Sequence, residues 1–203
     1  MKKIMSILCI GCFCAFAACN SGSSNSDSVD SANNINDSIM PDSNSMMNSD
    51  TSMSTMSSAP VSQEDADWAV KVANANMTEV ELSKVAQTKA ASPRLKNFAD
   101  MMVTDHTAAG NKLTQLAGTK NITLPANLDD KSQKKLDDLN KKTGSDFNKE
   151  YTKDMLGDHK DAVDLFKKGS NDLKDADLKS FASTTLPTLQ MHLDSIKVIS
   201  GKK

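Results

Sequence analysis

The chain has 203 residues, with 24 Lys and Arg against 26 Asp and Glu, and a formal net charge of −2. From Gln63 onward there are 21 acids and 22 bases, so this part has no basic footprint for nucleic acid. All four cysteines lie within residues 1–19, which excludes disulfides, thiolate metal sites and a cysteine nucleophile from everything after them.

The N-terminus reads as an export signal over residues 1–18. Lys2 and Lys3 form a charged start, and Ile4 to Ala18 is a short apolar run ending in small residues. Phe16-Ala17-Ala18-Cys19 resembles the lipobox of bacterial lipoproteins, which makes Cys19 the expected lipidation site; Cys9, Cys12 and Cys14 fit that pattern less well. An ordinary cleaved signal with Cys19 incidental is the competing reading. The expected partner is therefore a membrane, reached through the lipid anchor. Asn20 after Cys19 resembles lipoproteins released to the outer membrane, so the expected location is the cell envelope, on the outer membrane facing the periplasm or the surface.

Residues 19–62 form the lipidated Cys and a tether. Asn20 to Ser62 is dominated by Ser, Asn, Asp and Met and has no Lys, Arg or aromatic residue. Such a chain buries too little apolar surface to offset its ordering entropy, so a disordered leash is expected, with an r.m.s. reach of roughly 35–40 Å. Met40, Met46, Met47, Met53 and Met56 are unusual in a leash. Thioethers bind Cu(I), but compositional drift is the plainer account.

Residues 63–203 read as one all-α domain. The first helix is expected from about Gln63 to Ala90, capped by Ser62, with core stripe Trp68, Val72, Ala75, Glu79, Leu82, Ala86. Ser92-Pro93 opens the second, whose stripe is Leu95, Ala99, Met102, His106, Ala109, Leu113, Leu116. Residues 119–144 hold a short amphipathic helix, about Lys131 to Lys142. The next long helix runs from Ser145 to about Lys168 with stripe Phe147, Tyr151, Met155, His159, Ala162, Phe166, and Gly169-Ser170-Asn171 is expected to turn the chain. The last helix runs from about Asp175 to Ile199, with stripe Leu178, Ala182, Thr185, Leu189, His192, Ile196, Ile199 and with Pro187 inside it.

One stretch occurs twice. Phe98, Met102 and His106 are spaced i, i+4, i+8, as are Tyr151, Met155 and His159, and Asp105 and Asp158 precede the two histidines. On a helix each trio lies along one stripe. A long middle connection between two such halves makes the two repeat-bearing helices parallel, as in ferritin-like folds. The expected architecture is a ferritin-like four-helix bundle with a long middle crossover containing a short helix.

Each long helix carries one ionisable residue on its core stripe: Glu79, His106, His159 and His192. The chain has three histidines, and chance alone puts all three on such stripes about one time in twelve. Imidazole with carboxylate suits Zn, Fe, Mn or Cu, and Met102 and Met155 soften the set toward copper. The candidate metal set is His106, His159, Met102, Met155 and Glu79. Asp105 and Asp158 lie about 100° round their helices and are expected to meet neighbouring helices instead. Folding the last helix back at residues 171–172 places His192 opposite Tyr151, roughly 12 Å along the axis from His159, which leaves it out of the set. The competing reading is structural: buried histidines hydrogen-bonded across helices, with methionine filling gaps.

Residues 63–200 resemble the bacterial domain-of-unknown-function family 4142, grouped with ferritin-like proteins. The resemblance rests on Glu79-Val80-Glu81-Leu82-Ser83-Lys84-Val85-Ala86, on Phe98 through His106, on Phe147 to Tyr151, on Met155 with Asp158-His159, and on Leu186-Pro187 with His192. It implies an exported ferritin-like bundle with no established activity. Ferritin-like di-iron sites use Glu-x-x-His, whereas here Val103, Leu156 and Leu189 stand three residues before the histidines. No Gly-rich phosphate loop or nucleophile triad points to an enzyme. Two functions remain from the sequence. One is a non-catalytic envelope lipoprotein with a binding or stress role; the other is a transition-metal-binding protein, for copper, zinc or iron, that uses core His and Met.

Overall fold

The structure, a computed structural model, describes residues 27–39 and 61–201. The signal segment, Cys19, the five tether methionines and the leash apart from residues 27–39 and 61–62 lie outside them. The described residues form six helices and no strand: α1 Ser28–Ile39, α2 Gln63–Lys89, α3 Pro93–Thr119, α4 Asp130–Asn140, α5 Gly144–Asp172 and α6 Ala176–Ser200. None is long and apolar enough to cross a membrane.

The four long helices enclose one core. Leu82, Leu95, Met102, Phe147, Tyr151, Met155, Leu178 and Ile196 are all fully buried in it. α2 packs on α3 and α5 on α6, with α2 also against α5 and α3 against α6. Ring contacts fix the directions. Phe98 and Tyr151 are 6.4 Å apart, and eight residues later His106 and His159 are 5.5 Å apart. The repeat-bearing helices α3 and α5 therefore run parallel, and the chain between them must travel back along the bundle. α4 lies on that return, tied to α2 by Asn74–Asp129 hydrogen bonds and to α5 by the Lys135–Asp158 ion pair at 2.5 Å.

Two expectations need correction. The first is the disordered leash, which does not hold for Ser28–Ile39. Asp27 begins α1 by accepting the Val29 amide, and Ala32 and Asn36 are buried. The Asn36 side chain accepts the Thr123 amide at 2.8 Å and donates to the Thr123 carbonyl at 3.0 Å. Ser28 and Asp27 take the Asn127 and Asp130 amides. This helix docks through polar groups and one alanine, so its composition did not mark it as ordered.

The second correction is the turn before α6. Gly169-Ser170-Asn171 stay helical, and the chain turns at residues 173–175. Gly169 is required by packing: a Cβ there would stand 2.7–2.9 Å from the Trp68 indole. That indole donates to the Leu165 carbonyl at 3.2 Å and meets Phe166 and Phe181 edge-on. The turn itself is held by buried Asp65, whose carboxylate accepts the amides of Lys174 and Asp175. Lys120, at the end of α3, then pairs with Asp175 and Asp177 at the start of α6. Moving the fold point from residues 171–172 to 173–175 changes which residues face each other by about five positions, roughly 7–8 Å along the axis, and brings His192 within about a turn of His159.

Candidate metal centre

That shift brings His192 into the site. The rings of His106, His159 and His192 form a near-equilateral triangle, with centroids 5.5, 5.3 and 5.4 Å apart. One nitrogen from each lies within 4.8 Å of the others, and all three residues are buried. The sequence reading that left His192 aside is thus corrected by the position of the turn.

Each imidazole is fixed at one nitrogen by an acceptor. His159 Nδ1 sits 2.9 Å from the Met155 carbonyl, which only accepts, so Nδ1 carries the proton and Nε2 the lone pair. His106 Nδ1 is 3.1 Å from Asn76 Oδ1 and 3.1 Å from Glu79 Oε2. His192 Nε2 is 2.8 Å from Asp105 Oδ2. The Asp105 carboxylate likewise puts the proton on Nε2 of His192, and the Asn76 amide oxygen assigns it to Nδ1 of His106. The remaining nitrogens, Nε2 of His106, Nε2 of His159 and Nδ1 of His192, are buried and have no hydrogen-bond partner.

The electrostatics favour neutral rings. Burial pushes His106 well below the ordinary histidine range, reinforced by His159 and His192. Burial and His192 lower His159 to about 4, against the Met155 carbonyl. His192 is lowered by burial and partly restored by Asp105. Glu79 is pushed well above the carboxylate range by burial and by Asp158, against Lys135. Three neutral imidazoles with free lone pairs are the form that binds a metal.

The candidate residues sort by position. Glu79 touches the protonated nitrogens, Oε2 on His106 and Oε1 at 3.5 Å from His159 Nδ1, so it stands behind these two imidazoles and orients them. Oε1 makes no hydrogen bond. Met155 contributes its carbonyl to His159. Met102 and Met155 are both fully buried, one turn before their histidines toward Phe98 and Tyr151. Asp105 reaches α6 and Asp158 reaches α4, so both meet neighbouring helices as their angular position predicts. Asn76, absent from the sequence reading, lies one turn before Glu79 on the same face of α2, which is the signal that could have found it.

The model for the domain of unknown function DUF4142 matches residues 50–199. The chain belongs to that family. Among solved structures, a DUF305 fragment from Deinococcus radiodurans is similar, with a TM-score of 0.63 at 9% identity over 70% of this chain and 98% of that one. So is CopM in its Cu(I)-bound form, with a TM-score of 0.55 at 18% identity over 66% of this chain and 92% of that one. At such identities the likeness is one of fold. No curated protein matches this DUF4142 member in sequence.

Proposed function

We propose that this DUF4142 bundle binds one transition-metal ion through His106 Nε2, His159 Nε2 and His192 Nδ1. The observation that carries the reading is a cluster of three buried histidines, each with one ring nitrogen that has no hydrogen-bond partner. A purely structural role accounts for the outer nitrogen of each ring and leaves the inner three unmatched, against the general rule that buried polar atoms are satisfied. Imidazoles bound to one ion at about 2.0–2.1 Å have nitrogens roughly 3.5 Å apart. Glu79, Asn76, Asp105 and the Met155 carbonyl then act as the outer partners that metal-bound histidines usually have.

Imidazole suits zinc, copper, iron and nickel, and CopM makes copper the first ion to try. We read the α3–α5 crossover as the ferritin-type connection, with a three-histidine centre where that fold otherwise places carboxylates. The test is the melting temperature of chelator-stripped protein with Cu(I), Cu(II), Zn and Fe(II). The right ion at a free concentration a hundred times its Kd adds about 2.7 kcal/mol, several degrees for this size. His159→Gln and His192→Gln should abolish the gain. No shift with any ion, or equal shifts in the variants, contradicts the site.

We further propose that the bundle works in the cell envelope, anchored by acylated Cys19. The lipobox-like run before Cys19 supports this. Cys19→Ser should accumulate as unprocessed precursor, and normal processing with membrane retention of that variant would refute the anchor.

A further inference from the structure

The two sides of the histidine layer are filled differently. One turn before His106 and His159 stand Met102 and Met155, followed by Phe98 and Tyr151, all buried and large. One turn after them stand Ala109, Gly110 and Ala162, faced by Ala75 and Thr188 from α2 and α6. On that side lies a cavity of about 40 Å³, bounded by His106, His192, Glu79 and Asp105 near the histidine layer and by Val72, Leu113, Phe166 and Phe181 farther out. A water needs about 10–15 Å³ of such space, so the cavity has room for a few waters or one triatomic molecule.

Three histidines leave a four-coordinate metal one position short, and an open fourth position takes an exogenous ligand. No carboxylate fills it here, because Glu79 and Asp105 are engaged with the protonated ring nitrogens. Along the bundle axis the bulky side is packed and the small-residue side is hollow. We infer that the metal centre keeps one coordination position open toward this cavity, and that a small exogenous ligand, water or a triatomic anion, binds there. This rests on the three-histidine reading and adds to it a ligand class, a direction and a reason for the small residues.

The test uses the full-length chain in detergent, loaded with Co(II), whose visible d–d bands report coordination. Azide is then titrated. The expected result is one bound cobalt per chain and a saturable change in the bands without loss of metal. Ala109→Leu and Thr188→Leu fill the cavity away from the histidines. Both should keep one cobalt and weaken azide by about tenfold or more. Failure of the wild type to bind cobalt would overturn the metal reading and this inference together. Cobalt bound with a spectrum indifferent to azide would overturn the open position alone, as would azide simply stripping the metal. Equal azide affinity in wild type and both variants would overturn the cavity as the ligand's place.

Discussion

The two copies of the Met-x-x-Asp-His stretch are alike on the backbone and unlike in what holds them. His106 is steadied from outside its helix, by Asn76 and Glu79 on α2, whereas His159 leans on the Met155 carbonyl of its own helix. The preceding aspartates diverge further. Asp105 reaches across to His192, while Asp158 pairs with Lys135 on α4. The repeat supplies two imidazoles at one level; a neighbouring helix decides which nitrogen His106 presents, and its own helix decides it for His159. One aspartate has become part of the centre and the other part of the crossover's attachment.

The largest expected effect tests the neutral state of the rings. His159 titrates near 4 in the fold and near 6.5 when unfolded. Between these values the unfolded chain holds a proton that the folded one lacks, so stability falls as pH falls, by up to about 3 kcal/mol for this residue. His106 and His192 shift in the same direction. Glu79 opposes them: it keeps a proton that the unfolded chain releases above 4.5, so its contribution falls as pH rises. Asp154, raised to about 6 by burial, and Asp158, also raised by burial, act in the same direction as Glu79. The histidine part is therefore read by difference: between pH 7 and 5 the metal-free wild type should lose more stability to denaturant, relative to its value at pH 7, than metal-free His159→Gln. Identical acid sensitivity in the variant would break the picture of a depressed histidine.

A smaller effect separates the two aspartates. Asp105→Asn should weaken metal binding by about 10–100-fold, because it loosens the outer partner of a ligating histidine. Asp158→Asn should change metal affinity less than about twofold and cost at most about 1 kcal/mol, the worth of a partly exposed ion pair. Competition against a chelator dye measures the first and urea unfolding the second. Equal losses of affinity would mean that the repeats are functionally equivalent after all.

The smallest effect lies at Gly157, which stands where the first repeat has Thr104. A Cβ there meets nothing within 4 Å. Gly157→Ala should add about 0.5–1 kcal/mol to stability through helix propensity and leave metal affinity unchanged. A loss of stability would show that the second repeat needs a flexible turn beside His159.

Much of this was legible in the sequence. The four-three stripes gave the long helices, and the long middle connection, with the Phe/Tyr-Met-His repeat as weaker support, pointed to parallel α3 and α5. The position of the last turn was not legible, because Asp65 and Trp68, more than ninety residues earlier, decide it. His192 was excluded chiefly for that reason. α1 was hidden because it docks through Asn36 rather than an apolar face. The choice of ring nitrogen was also hidden, since it depends on acceptors that come from other helices or from the backbone.

The central claim is that three imidazoles turn specific nitrogens toward one ion. Long-range 15N–1H correlation NMR of the histidine rings reads those nitrogens directly, before and after one equivalent of Zn(II). The account predicts neutral rings protonated at Nδ1 in His106 and His159 and at Nε2 in His192. It further predicts that zinc shifts His106 Nε2, His159 Nε2 and His192 Nδ1 together. Opposite tautomers in the metal-free protein, or ring nitrogens unmoved by zinc, would contradict it.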